Sequence, residues 1–168
     1  REGRYRLDGD VLDSTGMIER LAQWTNAYPI VSVEDGREQD DWTHWPLLLK
    51  ELRKKAIVLG DDFLCTYPAR IDRAIESAGC DALLLKVNQI GTLTEAAFAY
   101  RQARSAGWKI VLSVRSGETE DAWAADLAVG WAADQFKNGS ITQSERTAKY
   151  NRLLEIEAET GWPVGLRG

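Results

Sequence analysis

Five charged residues, Glu34, Asp61, Lys86, Arg115 and Lys137, stand where short apolar runs stop. Glu34 ends Ile30-Val31-Ser32-Val33, and Asp61, with Asp62 beside it, ends Ile57-Val58-Leu59-Gly60. Lys86 ends Leu83-Leu84-Leu85, Arg115-Ser116 follow Ile110-Val111-Leu112-Ser113, and Lys137 ends the weaker Asp134-Gln135-Phe136. Two carboxylates from neighbouring strands suit one hard divalent ion such as Mg²⁺, which prefers carboxylate oxygens and water. Asp62 points to the other side of its strand and is assigned to a loop cap or to the support of Asp61. Arg115 offers a planar fork for phosphate or carboxylate. Ser116-Gly117, ahead of a helix expected to start at Glu118-Thr119, adds backbone N–H groups and a helix N-terminus. Lys86 and Lys137 are expected to face each other across one mouth, where a metal and a second cation would drive a lysine toward its neutral, base-competent form.

The elements that must position these residues follow from the hydrophobic periods. Residues 1–13 read as a loop or short hairpin, followed by a helix from Ser14-Thr15 that Tyr28-Pro29 closes. Trp42, Trp45, Leu49 and Leu52 predict a helix from Asp40 onward. Thr66 and Pro68 open a third helix carrying Ile71, Ala74, Ile75 and Ala78, with Gly79 as its stop. Thr92-x-x-Glu95 has the spacing of a capping box and opens a helix carrying Leu93, Ala97 and Tyr100. Trp123, Leu127 and Trp131 mark a further helix, and Tyr150, Leu153 and Leu154 the buried face of the last. The strand ends are separated by 27, 25, 29 and 22 residues. That is the length of successive βα units in a parallel sheet. Five units fit either an open α/β sheet or the last five of a barrel, since a closed eight-stranded barrel takes about 250 residues.

Composition narrows the class. The chain has 168 residues, 44% hydrophobic and 28% charged, with a formal net charge of −5. The acidic balance argues against a nucleic-acid or anionic-lipid surface. No apolar run reaches the roughly 20 residues that span a bilayer, and no signal peptide opens the chain. Cys65 and Cys80 lack metal-like or disulfide spacing, which predicts a reducing, cytoplasmic setting. No Gly-rich dinucleotide fingerprint follows a strand. His44, the only histidine, lies between two tryptophans and is given an exposed or packing role. The chain starts at Arg1 rather than Met, as a fragment or processed piece would.

Longer motifs then bear on the same positions. Leu83-Leu84-Leu85-Lys86-Val87-Asn88-Gln89-Ile90-Gly91-Thr92 resembles the signature segment of the enolases. The likeness extends over Tyr28 to Asp35, Asp40-Asp41-Trp42, Gly60-Asp61-Asp62, Arg115 to Asp121 and Ser144 to Asn151. The resemblance implies the C-terminal five βα units of an enolase-type barrel over residues 1–168, incomplete in this chain. It implies a Mg²⁺-dependent hydro-lyase converting 2-phosphoglycerate to phosphoenolpyruvate, cytoplasmic and homo-oligomeric. By it, Glu34 and Asp61 match two of three metal ligands and Lys86 matches the base. Arg115 and Ser116 match the phosphate-binding pair, and Lys137 the lysine at the substrate carboxylate.

The resemblance places the third ligand, the general acid and an N-terminal domain in sequence preceding Arg1, making the missing portion of the same protein a partner. One residue departs from the pattern: Val114 stands where the family has a histidine. Two rival readings stand beside the hydro-lyase. One is a paralogue acting on another phosphorylated or phosphonylated hydroxy acid. The other is a non-catalytic enolase-like binding or assembly protein, against which five retained strand-end charges argue.

Overall fold

The computed structural model describes residues 3–162, which fall into two compact units divided between Ile110 and Val111. The first unit opens with an antiparallel hairpin, β1 (Tyr5–Leu7) and β2 (Asp10–Leu12). Asp8 and Gly9 at its tip both have positive φ, 50° and 90°. An Asp-Gly pair in that conformation matches the twist of the strands it joins. Helix α1 (Ser14–Ala27) follows, and the Asp13 carboxylate caps it by accepting the Gly16 N–H at 2.7 Å. Such a cap satisfies one of the donors that a helix start leaves without partners.

Three strands then alternate with helices: β3 (Ser32–Glu34), α2 (Trp45–Leu52), β4 (Ile57–Gly60), α3 (Pro68–Ser77) and β5 (Ala82–Leu85). They pair in parallel in chain order, with Glu34 opposite Leu59 and Gly60 opposite Leu83. A short turn of helix, α4 (Val87–Ile90), and α5 (Leu93–Ser105) complete the run. β5 is buried throughout, as its unbroken apolar sequence requires. The Trp45 ring stacks on Phe63 with centroids 3.9 Å apart, and both are fully buried, as are Leu48, Leu52 and Ile71.

Strand β6 (Lys109–Ser113) starts at the end of the first unit and continues into the second. There it pairs in parallel with β7 (Gln135–Lys137), Ser113 opposite Lys137. Helices α6 (Trp123–Gly130) and α7 (Ser144–Thr160) belong to this unit.

All five expected strands are present, and the helices differ from expectation in their ends and faces. α2 starts at Trp45 instead of near Asp40, because Pro46 suits a first turn and the stretch before it is folded as turns. α3 ends on Ala78, not on Gly79: Ala78 takes the left-handed conformation at φ 52°. Gly79 is needed for another reason, since a Cβ there would stand 3.0 Å from the Phe63 ring. The capping box is half formed. Thr92 Oγ1 accepts the Glu95 N–H at 3.2 Å, while Glu95 Oε2 accepts the Thr92 hydroxyl rather than the Thr92 backbone N–H. The buried faces of α5 and α6 are alanines, Ala96, Ala99 and Ala103, then Ala124, Ala125 and Ala128. α7 buries Arg146, Lys149 and Ile156, with Leu154 exposed. Among the described residues no helix is long and apolar enough to cross a membrane.

Candidate active site at the strand ends

Parallel pairing brings the carboxyl ends of β3, β4 and β5 to one edge of the first unit. Lys86, the residue after β5, donates from Nζ to both Asp61 carboxylate oxygens, at 2.7 and 2.6 Å. Both side chains are nearly nine-tenths buried. Taking two charges out of water is costly unless their remaining hydrogen-bonding capacity is used. Here it is used by a relay. Gln89 Nε2 donates to Asp61 Oδ1 at 3.3 Å, and Gln89 Oε1 accepts the Thr66 hydroxyl at 2.8 Å. Thr66 Oγ1 in turn accepts the Lys86 backbone N–H at 3.0 Å. Thr66 is fully buried at φ 53°, beside Cys65 at φ 50°. A β-branched residue in that region is strained, and strain of this kind gathers at functional sites.

Asp35 fixes the next turn. At φ 44° it turns its carboxylate onto the Asp61 and Asp62 N–H groups, at 2.9 and 2.8 Å. Burial pushes the Asp35 carboxyl up from its ordinary range, against the pull of those two N–H groups. Among the described residues, Asp35, Asp61 and Asp62 form the one acidic group close enough to hold a metal, with ligand atoms within 4.8 Å of one another. An all-oxygen donor set suits a hard divalent cation. Glu34 lies outside that group. It is exposed on the face of β3 opposite the buried Val33, as strand alternation dictates. Asp62, assigned from sequence to the other side of its strand, lies inside the group.

In the second unit Arg115, Ser116 and Lys137 lie at the ends of β6 and β7, all three exposed. The helix expected at Glu118-Thr119 is absent: residues 114–122 form an irregular loop and α6 starts at Trp123. The helix N-terminus expected beside Ser116 is therefore not there. What holds the loop instead is a pair of buried cations from α7. Arg146 donates to the Arg115 and Ser116 carbonyls at 2.8 and 2.9 Å. Lys149, with no exposed surface, donates to the carbonyls of Thr119, Asp121 and Glu145 at 2.9, 2.9 and 3.0 Å and pairs with Glu118 at 3.2 Å. Sequence reasoning missed this job, although the Ser144 to Asn151 motif contains both residues. Two cations spaced i, i+3 on the inner face of a helix were the available signal.

Val114 is half-buried between β6 and Arg115. A cleft of about 480 Å³ lies elsewhere in the first unit, lined by Asp13, Ser14, Thr15, Glu38, Asp41 and His44. It contains none of the strand-end residues. His44, expected to be exposed or packing, has a polar partner there, with Nδ1 2.6 Å from Asp41 Oδ1.

Parallel βα units with a lysine and carboxylates at the strand ends define a β/α-barrel type of site. The chain belongs to the enolase family: the model for "Enolase, C-terminal TIM barrel domain" matches residues 2–168. It is similar to Enolase 2 of Hevea brasiliensis, 48% identical over 159 residues, which cover 95% of this chain and 35% of that protein. The chain thus spans about a third of the length of this curated relative and corresponds to part of an enolase barrel, not to an open sheet.

Proposed function

We propose that this chain carries the base half of an enolase-type active site, that of a Mg²⁺-dependent hydro-lyase converting 2-phosphoglycerate to phosphoenolpyruvate. One observation supports the reading above the rest. In a chain of the enolase family, a buried relay holds Lys86 against Asp61 at the ends of adjacent strands. A lysine so fixed is set to act on a ligand at the strand ends rather than to wander in solvent.

In this reading Lys86 acts as the free amine: its Nζ lone pair takes the proton α to the substrate carboxylate, leaving an ammonium, and the electron pair of that C–H bond moves into the carboxylate. The bond to the leaving hydroxyl then breaks with a proton from an acid outside these residues. Asp61 and Glu34, with Asp35 and Asp62 alongside, are the residues that would hold Mg²⁺. As in enolase-superfamily sites generally, the bound ion supplies positive charge against the carboxylate as it gains electrons. Arg115 and Ser116 take the phosphate, and Lys137 contacts the carboxylate end. The third metal ligand and the acid come from the portion of an enolase that this chain does not span.

A second reading, a paralogue using another phosphorylated or phosphonylated hydroxy acid, is favoured by one residue. Val114 puts an isopropyl group beside Arg115, where the enolase pattern has an imidazole. The decisive experiment follows exchange of the substrate's α-proton with solvent deuterium, in protein completed with the missing portion. Lys86→Ala is expected to abolish exchange while substrate binding stays within a few-fold. Undiminished exchange in that variant would rule Lys86 out as the base.

A further inference from the structure

We propose that Arg146 is a positioning residue for anion binding. It sets the backbone of the Arg115–Ser116 pair and ties that loop to the Lys137 strand end. The proposal rests on the reading of Arg115–Ser116 as the phosphate site. Arg146 comes from α7, some thirty residues along the chain, and only 7% of its surface is exposed. Its two terminal nitrogens donate to consecutive carbonyls, Arg115 at 2.8 Å and Ser116 at 2.9 Å. A guanidinium is a rigid planar fork, so gripping two carbonyls fixes their relative orientation more narrowly than a freely rotating ammonium does. In a planar trans peptide the C=O and the following N–H point in opposite directions. The Arg115 and Ser116 carbonyls face Arg146, so the N–H groups of Ser116 and Gly117 are turned the opposite way. Two backbone donors next to the Arg115 fork are what a phosphate needs.

The same residue reaches the neighbouring strand through its own backbone. Asn138, next to Lys137, is 1% exposed and donates from Nδ2 to the Arg146 carbonyl at 2.8 Å. Tyr150, one turn further along α7, donates its hydroxyl to the Gly139 carbonyl at 2.8 Å. The ends of β6 and β7 are therefore both registered to α7, one by the Arg146 guanidinium and the other by the Arg146 carbonyl and Tyr150. A shift of one is opposed by the other.

The test titrates the chain with inorganic phosphate and reads amide NMR signals and hydrogen exchange over residues 115–119. Wild type is compared with Arg146→Lys, Arg146→Ala and Arg115→Gln at a temperature where each is folded. Arg146→Lys keeps the buried charge and is the variant to rely on if Arg146→Ala fails to fold. The expected result is phosphate-dependent shifts at Ser116 and Gly117 in wild type. Arg146→Lys should bind phosphate about tenfold more weakly, the scale of one lost charge-assisted hydrogen bond, with faster exchange confined to this loop. Added millimolar guanidinium should restore both in Arg146→Ala but neither in Arg115→Gln. Unchanged phosphate affinity in Arg146→Lys would overturn the positioning role, whatever the loss of thermal stability. Wild type that shows no phosphate response at Ser116 and Gly117 would overturn the phosphate reading itself, and the proposal with it.

Discussion

By the resemblance to the enolases, Val114 stands where that family has a histidine. An imidazole next to Arg115 can donate a hydrogen bond or share a proton with a bound substrate, and an isopropyl group can do neither. Loss of a positioned acid, base or polar group costs about 10²–10⁴-fold in rate, the upper end applying where the group itself transfers the proton. In the reading proposed above the acid lies outside these residues and Val114 replaces a group that does not itself transfer that proton, so the lower end applies. The completed protein is therefore expected to turn over 2-phosphoglycerate poorly. Val114→His should raise kcat at least about tenfold, or some 1.4 kcal/mol of barrier. Steady-state assays at saturating Mg²⁺ decide it: full activity with Val114 in place, or no gain from histidine, removes this residue as the limit. At this scale the sequence was informative about Lys86 and Asp61, because each ends an apolar run and parallel register does the rest. It pointed to Thr66 only as a helix start, whereas α3 begins at Pro68, and to Gln89 only as part of a motif. Their part in the relay depends on a left-handed backbone at Thr66, which no spacing rule announces for a β-branched residue.

Elements were legible in existence and less so in their faces and ends. The strands are short, β-branched or leucine-rich and bounded by charges, and all five stand where the sequence puts them. The helix faces differ from expectation because a hydrophobic period points to the large apolar side chains. Instead α5 and α6 bury alanine faces, as close-lying backbones require, and leave Leu93, Phe98 and Trp123 about half exposed. In α7 the buried positions go to Arg146 and Lys149, because the carbonyls of a helix-free loop need donors. The end of α3 yields a prediction. Ala78 occupies the left-handed position at φ 52° that a glycine there would take without a Cβ penalty. That penalty is roughly 1–2 kcal/mol, part of which is returned by glycine's greater freedom when unfolded. Ala78→Gly should then stabilise the chain by about 1 kcal/mol and raise Tm by about 2–4 °C. Thermal melts followed by circular dichroism test it, and a lower Tm would show that the native conformation bears no such penalty.

For the molecule as a whole, a net charge of −5 makes acid the natural stress, and the carboxylates do not respond alike. Asp81 is raised by burial, although its Oδ1 accepts the Val58 N–H at 2.7 Å. For such a group the folded state binds the proton more readily, so a falling pH at first helps the fold. Asp41 works the other way. Burial pushes its carboxyl up, but hydrogen bonds from Arg37, His44 and Ser14 outweigh burial and bring it down to about 2. Those bonds join the N-terminus of α1 to the loop before α2, and Arg37 also donates to the Ser14 carbonyl at 2.8 Å. The Arg37 side chain has no exposed surface, so without Asp41 its charge would be left with less compensation. Above the ordinary aspartate range Asp41 is ionised in both folded and unfolded chains and contributes in full. As pH falls toward about 2 the unfolded chain takes up its proton first, and the contribution fades. Asp41→Asn should cost about 2–3 kcal/mol near neutral pH, the scale of a hydrogen bond to a charged group. The gap between variant and wild type should shrink steadily below about pH 4. Urea unfolding midpoints of both proteins at about pH 7, 4 and 2.5 measure it. A gap that stays constant across those values would place the loss in the shape of the side chain instead of in the ion pair.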